Sequence, residues 1–336
     1  MTMKLTAENS ARVRDISFVA ICCVVSQHFC LLTGYGTSNH NLFSEAVWRA
    51  ILDWPVSWFF LISGFFLVKQ WNGGLLWWWQ ACAKRIQTLL LPYIVWCALG
   101  TALMCCYGRN VSLATLGKDL GITSAFPVIA PLWYVRNLLV LCLFSPVIVP
   151  LCKWLSGQRW GMVAMVGAMF SLMLLPLPAK RLWVMPILYF ALGIVIAFGG
   201  KFPAVDRRIV LGGLCGVLLM IICNSVFFRM ELTALRFIFN FFAIGSVWLF
   251  YDVLFLKRHI CSQLSKSSFF VYCSHGIIML PVYNSPSLIH CPYGHLAGVV
   301  LWVTISCGTI VFLIMCAHVL NACCPAAFKV LTGGRG

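Results

Sequence analysis

Near its start the chain reads Arg12-Val-Arg-Asp-Ile-Ser-Phe-Val-Ala-Ile-Cys-Cys-Val-Val-Ser-Gln-His28. From position 16 to position 32 the residues are almost all apolar. That is long enough for most of a membrane-crossing helix, which takes about 20 residues at roughly 1.5 Å each. His28 then lies about 12 residues inside the run, on the order of 18 Å from its basic end. An ionisable side chain at such depth is costly and faces protein or a water-filled cavity. At about 100° per residue, Ser17 and Arg14 fall within roughly 20° and 40° of the His28 azimuth, and Asp15 falls on the far side. One helix face therefore carries Arg14, Ser17 and His28, cation near the membrane surface and imidazole deeper. A histidine that merely hydrogen-bonds a neighbouring helix would give the same pattern.

The rest of the chain has the same character. Of its 336 residues 62% are hydrophobic and only 10% charged, with mean hydropathy +0.94. A soluble domain cannot hide so much apolar side chain, so the composition implies an all-α, polytopic membrane protein. The net charge of +16 comes from 24 Lys and Arg against 8 Asp and Glu. These cations are spread between apolar runs, which fits the cytoplasmic bias of basic loops and argues against nucleic acid as a partner. The 18 Cys stand mostly inside apolar runs, as at Cys22, Cys97 and Cys307, where Cys acts as a small hydrophobe. No Cys or His spacing suggests a metal site. Cys291, in an expected outer loop, is the one placed for oxidation. The first run lacks a cleavage site and is expected to persist as a helix.

Ten apolar runs can be read, at about 16–33, 52–69, 87–107, 131–152, 160–177, 183–200, 209–227, 235–256, 268–284 and 296–318. With the N-terminus inside, cytoplasmic segments hold sixteen Lys and Arg and outer segments seven, with Arg136 inside the fourth run. The bias places both termini in the cytoplasm, and about ten transmembrane helices follow. The whole chain, 1–336, reads as one transmembrane domain with cytoplasmic tails at 1–15 and 319–336. Between the second and third runs, Leu75-Leu-Trp-Trp-Trp79 followed by Lys84-Arg85 suits a helix lying in the interface.

Four further motifs carry chemistry. Phe59-Phe-Leu-Ile-Ser-Gly-Phe65 places the small pair Ser63 and Gly64 amid aromatics, fit for close helix packing or for a substrate contact. Lys84 and Arg85 begin the third run, where they satisfy the charge rule and are also suited to phosphates, Arg as a fork and Lys as a point charge. Leu132-Trp-Tyr-Val-Arg136 puts Arg136 about one and a half turns below the outer surface, able to snorkel or to meet a partner. Phe270-Val-Tyr-Cys-Ser-His275 supplies a second intramembrane histidine, and two are harder to dismiss as packing than one. Carboxylates are scarce: Asp252 alone lies clearly within a run, and Asp53 stands at an expected outer helix start. That scarcity argues against a proton- or sodium-coupled transporter.

Taken in order, the late His of the first run, Phe59-Phe-Leu-Ile-Ser-Gly-Phe65, Lys84-Arg85 leading to Leu91-Pro-Tyr93, Leu132-Trp-Tyr-Val-Arg136 with Ser145-Pro146, and Phe270-Val-Tyr-Cys-Ser-His275 resemble the integral-membrane acyltransferase family 3. The resemblance runs from Arg14 to about Met279. Two positions depart from the family pattern. Ser17 stands where an Arg usually precedes the His by eleven residues, and Arg14, one turn lower, takes its place. Thr88 stands three residues after Arg85, where many members have a second Arg. The resemblance implies a multi-pass protein of a bacterial inner or plasma membrane. It also implies acetyl-CoA or another acyl-CoA as donor substrate, no bound cofactor, and a hydroxyl of a cell-surface polysaccharide or lipid-linked glycan as acceptor.

On this reading His28 is the catalytic base. Arg14, Lys84 and Arg85 bind the donor, and Ser63, Arg136 and His275 line the acyl or acceptor path. No Ser or Cys has an adjacent base in sequence, so direct transfer is favoured over a covalent acyl-enzyme. Two alternatives stay open: a non-catalytic transporter or flippase of a lipid-linked glycan, and a catalytically inactive protein of the same fold. A homo-oligomer is compatible with the sequence.

Overall fold

The apolar runs fold as helices, and among the described residues every regular element is helical. The computed structural model describes residues 5–29, 42–175, 180–199, 206–223, 233–255, 259–260, 262–283 and 295–334. Cys291 and residues 34–41, which stand between the first two expected runs, lie outside the described residues. In chain order the main helices are α1 (Ala7–Phe29), α2 (Leu42–Leu67), α3 (Leu75–Arg85), α4 (Leu91–Cys106) and α5 (Leu113–Asp119). They continue as α6 (Trp133–Leu143), α7 (Ser145–Ser156), α8 (Gly161–Leu174), α9 (Lys180–Gly199), α10 (Arg207–Cys223) and α11 (Thr233–Leu249). The last are α12 (Tyr251–Leu254), α13 (Ser262–Lys266), α14 (Ser268–Tyr283), α15 (His295–Cys323) and α16 (Pro325–Thr332).

Three stretches are long and apolar enough to cross a bilayer: Leu75–Cys106, Leu182–Gly199 and Val300–Cys323. A fourth span arises if the pair Ala130–Leu143 and Ser145–Ser156, bent by 76°, is taken as one. Length and composition thus mark three or four spans among the described residues, against ten expected runs. Leu52–Leu67, Gly161–Leu174, Arg236–Leu249 and Ser268–Pro281 are apolar but shorter.

Three boundaries differ from the sequence pattern. The bend in the fourth run falls where Pro146 opens α7; a proline lacks the N–H that would continue α6. The tryptophan-rich stretch expected to lie separately in the interface instead runs on into α4 as one 32-residue helix. A π-helical turn at Ile86–Leu90 joins the two parts without breaking them. Finally, α2 begins ten residues before the apolar run does, so Asp53 is a buried residue inside a helix rather than its start.

The chain divides into two compact units interleaved in sequence. The first comprises Met1–Ala20, Asn41–Cys82 and Val140–Ile260. Its centre is the packing of α2 on α9, flanked by α7, α8, α10 and α11. The two central helices meet backbone to backbone: a Cβ on Gly64 would overlap the Phe190 carbonyl, and one on Gly193 would overlap that of Leu61. Lipid tails are as apolar as Leu, so helices in a bilayer associate through such close approach and through polar bonds. Bonds of that kind are present: the Tyr189 hydroxyl donates to the Phe237 carbonyl at 2.6 Å and Asn240 donates to Ser57 at 3.1 Å.

The second unit comprises Ile21–His40, Ala83–Leu139 and Cys261–Gly336. Here α14 packs against α4, α15, α16 and the short turn Ala130–Leu132. Gly276 sits against Ile129 and Pro131, and the Tyr272 hydroxyl donates to the Pro131 carbonyl. The C-terminal helix is tied in by Trp96, whose ring N–H donates to the Leu331 carbonyl at 3.0 Å. Trp302 of α15 donates to the Ser26 carbonyl of α1 at 2.7 Å.

Candidate active site

The second unit brings the two histidines together. His28, half-buried, lies at the end of α1, and His275, fully buried, lies in the middle of α14. Their ring centroids are 5.2 Å apart. His275 Nδ1 is 3.2 Å from the Val271 carbonyl one turn back. A carbonyl only accepts, so Nδ1 carries the proton and Nε2 bears the lone pair. That Nε2 is buried and has no hydrogen-bond partner among the described residues. α14 is fixed twice against the 129–131 turn, by the Tyr272 bond to Pro131 and by the fit of Gly276 against Ile129. Beyond His275 the rings continue: Tyr272 is 6.0 Å from His275 and Tyr134 is 5.9 Å from Tyr272, centroid to centroid.

Lys84 and Arg85 close α3, Lys84 exposed and Arg85 half-buried. The π turn follows at once. The Thr88 hydroxyl, where the family pattern has a second Arg, donates to the Lys84 carbonyl at 2.9 Å. Gly333, in the left-handed region at φ 62°, closes on this turn so tightly that a Cβ would overlap the Thr88 carbonyl. Thr88 is therefore committed to the local backbone, and Lys84 and Arg85 supply the charge at this point.

Arg136 has found partners. Its Nη1 donates to the carbonyls of Gly121 at 2.7 Å and Ser124 at 3.1 Å, and its Nη2 donates to that of Ala125 at 3.0 Å. It clamps the loop that precedes the fourth run. The same loop is held by Tyr93, whose hydroxyl donates to the Leu120 carbonyl at 2.7 Å. Buried Asp119 accepts from Thr101 at 2.8 Å and from Arg109. Arg136 thus shapes the loop whose end, Ile129–Pro131, abuts the His275 helix.

Arg14 and Ser63 belong to the first unit. Ser63 is half-buried, next to the glycine that packs on α9. Ser17 spends its hydroxyl on the Val13 carbonyl at 2.7 Å and accepts from the Trp58 ring N–H at 3.1 Å. Arg14 is organised by a residue that the helical wheel set on the opposite face. Asp15 is wholly buried, and its Oδ1 accepts from Arg14 Nε at 3.3 Å. Its Oδ2 accepts from the Tyr251 hydroxyl at 2.5 Å and lies 3.0 Å from His259 Nδ1. Arg12 serves structure instead. It pairs with Glu8 at 3.2 Å and Asp252 at 3.4 Å, and it lies over the Trp248 and Tyr251 rings. The Arg14 side chain is partly exposed, and its terminal nitrogens carry no bond among the described residues. Asp15, Tyr251 and His259 escape a reading of the sequence because they meet across more than 230 positions.

An apolar helical chain with two adjacent imidazoles and separate cationic points has the parts of a membrane acyltransferase. Residues 18–319 match the acyltransferase domain of family 3, and the chain belongs to that family. No curated protein and no solved structure matches it.

Proposed function

We propose that the protein is a membrane O-acyltransferase that moves an acyl group, most simply acetyl, from acyl-CoA to a hydroxyl of a surface polysaccharide or lipid-linked glycan. The observation that carries this reading is the half-buried imidazole of His28 held beside His275. A neutral imidazole is the group suited to take a hydroxyl proton near neutral pH. His28 removes that proton as the hydroxyl oxygen bonds to the thioester carbon. The C–S bond then breaks, and the departing thiolate takes the proton back from His28. Arg14, Lys84 and Arg85 hold the phosphates of the donor through charge-assisted bonds. Arg136 supports the acceptor side by holding the 121–125 loop, and Ser63 borders the acyl path. The scarcity of carboxylates in the apolar runs favours this reading over an ion-coupled carrier.

The test uses the purified, detergent-solubilised protein with acetyl-CoA and the membrane polysaccharide fraction of the source cell. Acceptor-dependent release of CoA thiol is expected, with a matching acetyl mass on the glycan. His28→Asn is expected to lower turnover by about 10²–10⁴-fold while acetyl-CoA still binds. Glycan translocation without thiol release would replace the enzyme by a transporter.

A further inference from the structure

The buried lone pair on His275 Nε2 calls for a partner. Buried polar atoms in folded proteins are nearly always hydrogen-bonded, and one left bare is destabilising. The Nδ1–H of the same ring is spent on the Val271 carbonyl, so this ring offers its surroundings an acceptor only. The neighbouring ring that can donate is His28, with its centroid 5.2 Å away. That separation suits two imidazoles joined end to end by one N–H···N bond: about 2.9 Å for the bond and a ring radius on either side. His275 is immobilised, whereas His28 is half-buried in the last turn of α1, and a rotation of its ring would bring a nitrogen onto His275 Nε2.

We infer that His275 is a positioning residue for His28, a deepening of the reading above that rests on His28 as the base. His275 Nε2 accepts the N–H of His28. His28 then carries its one proton toward His275 and presents its other nitrogen, unprotonated, to the acceptor hydroxyl. When that nitrogen takes the hydroxyl proton, the hydroxyl oxygen bonds to the acyl carbon and the C–S bond breaks. The N–H···N bond shares the charge of the new imidazolium until the thiolate recovers the proton. His275 itself never ionises. A carboxylate could orient His28 in the same way, but it would bring a permanent charge into the apolar interior, and a neutral imidazole does not. The geometry also explains why Tyr272 and Gly276 are locked against Pro131 and Ile129: the acceptor atom is useful only if α14 does not shift.

The experiment measures CoA-thiol release from acetyl-CoA by the full-length protein in detergent. It is run with the membrane polysaccharide fraction and separately with water as the slow acceptor. His275→Leu removes the acceptor atom. It is expected to lower kcat about 10- to 100-fold with the KM for acetyl-CoA nearly unchanged. His275→Gln places a carbonyl oxygen close to the Nε2 position and is expected to restore most of the loss, whereas His275→Asn, whose oxygen lies nearer Nδ1, is not. Because His275 acts through His28, His28→Asn with His275→Leu should be no slower than His28→Asn alone. Normal turnover in His275→Leu with loss in His28→Asn would overturn the proposal and leave His28 as the base. Loss in His275→Leu with normal turnover in His28→Asn would overturn both, since His275 would then be the base. Should His275→Leu fail to elute as a folded species, the Gln and Asn variants decide alone, and equal activity in the two overturns the proposal.

Discussion

Replacing Asp15 by Asn tests whether the donor end of the protein is organised from a buried acid. Asp15 has no exposed surface and receives one donor on Oδ1 and two on Oδ2. Asn keeps the shape but removes the charge and turns one oxygen into an NH2 that faces donors. Removing one partner of a fully buried ion pair costs about 3–5 kcal/mol. Arg14 and His259 are 38% and 51% exposed in their side chains, so water can replace part of what they lose. A cost of about 2–3 kcal/mol is therefore expected for Asp15→Asn. The loss should appear as a lower midpoint of thermal unfolding in detergent. A second effect follows from the Arg14 bond at 3.3 Å. Freed from Asp15, the guanidinium no longer holds its terminal nitrogens toward one place, and the apparent KM for acetyl-CoA should rise about tenfold, equivalent to about 1.4 kcal/mol.

Tyr251→Phe separates the two effects. It removes the 2.5 Å bond to Asp15 Oδ2 but leaves the Arg14 contact on Oδ1 intact. It should cost about 1–2 kcal/mol of stability and leave the donor KM unchanged. The assay is thiol release at varied acetyl-CoA, with the unfolding midpoint measured on the same preparations. If Asp15→Asn folds and binds donor with the ordinary KM, Asp15 does not position Arg14 for the donor. If Tyr251→Phe raises the KM as much as Asp15→Asn, the network acts as a whole and the assignment to Arg14 fails.

Arg85→Gln should raise the apparent donor constant roughly ten- to hundredfold, the value of one charge-assisted phosphate contact; a change in protein abundance alone would make Arg85 a topology residue. Arg136→Gln removes up to three bonds to the 121–125 loop, so protease cleavage within that loop should speed up at least tenfold, and unchanged cleavage would refute the clamp. Gly64→Val should prevent α2 from seating on α9 and yield little monodisperse protein, because the overlap is with the Phe190 carbonyl rather than a side chain that can move; normal yield would show that the two helices can part at small cost.

Depth and pairing differ in how far they can be read from a sequence. A long apolar run sets an expected distance of His28 and His275 from a polar end, so a depth can be proposed for each from the sequence alone. Their meeting is not legible. α14 is apolar nearly all round and carries no stripe to say which side faces a neighbour, and the polar stripe on α1 does not say which helix it meets. Lipid tails accept any such face, so neither α1 nor α14 announces its contact. Gly64 was legible as a packing site, since a small residue among aromatics leaves a gap that only a backbone can fill. The bend before Pro146 is as local as the missing proline N–H, yet the surrounding run stays apolar enough to pass as unbroken. Asp15 shows the limit of the helical wheel. Its azimuth opposite His28 follows from helical geometry, but the wheel says which residues share a face and not what that face meets. The face opposite His28 is where Tyr251 and His259 close on the carboxylate. Arg14 then draws its orientation from that opposite side, by bending its Nε to its chain neighbour Asp15. The cation of a polar helix face can thus be oriented by an acid that the wheel sets on the other.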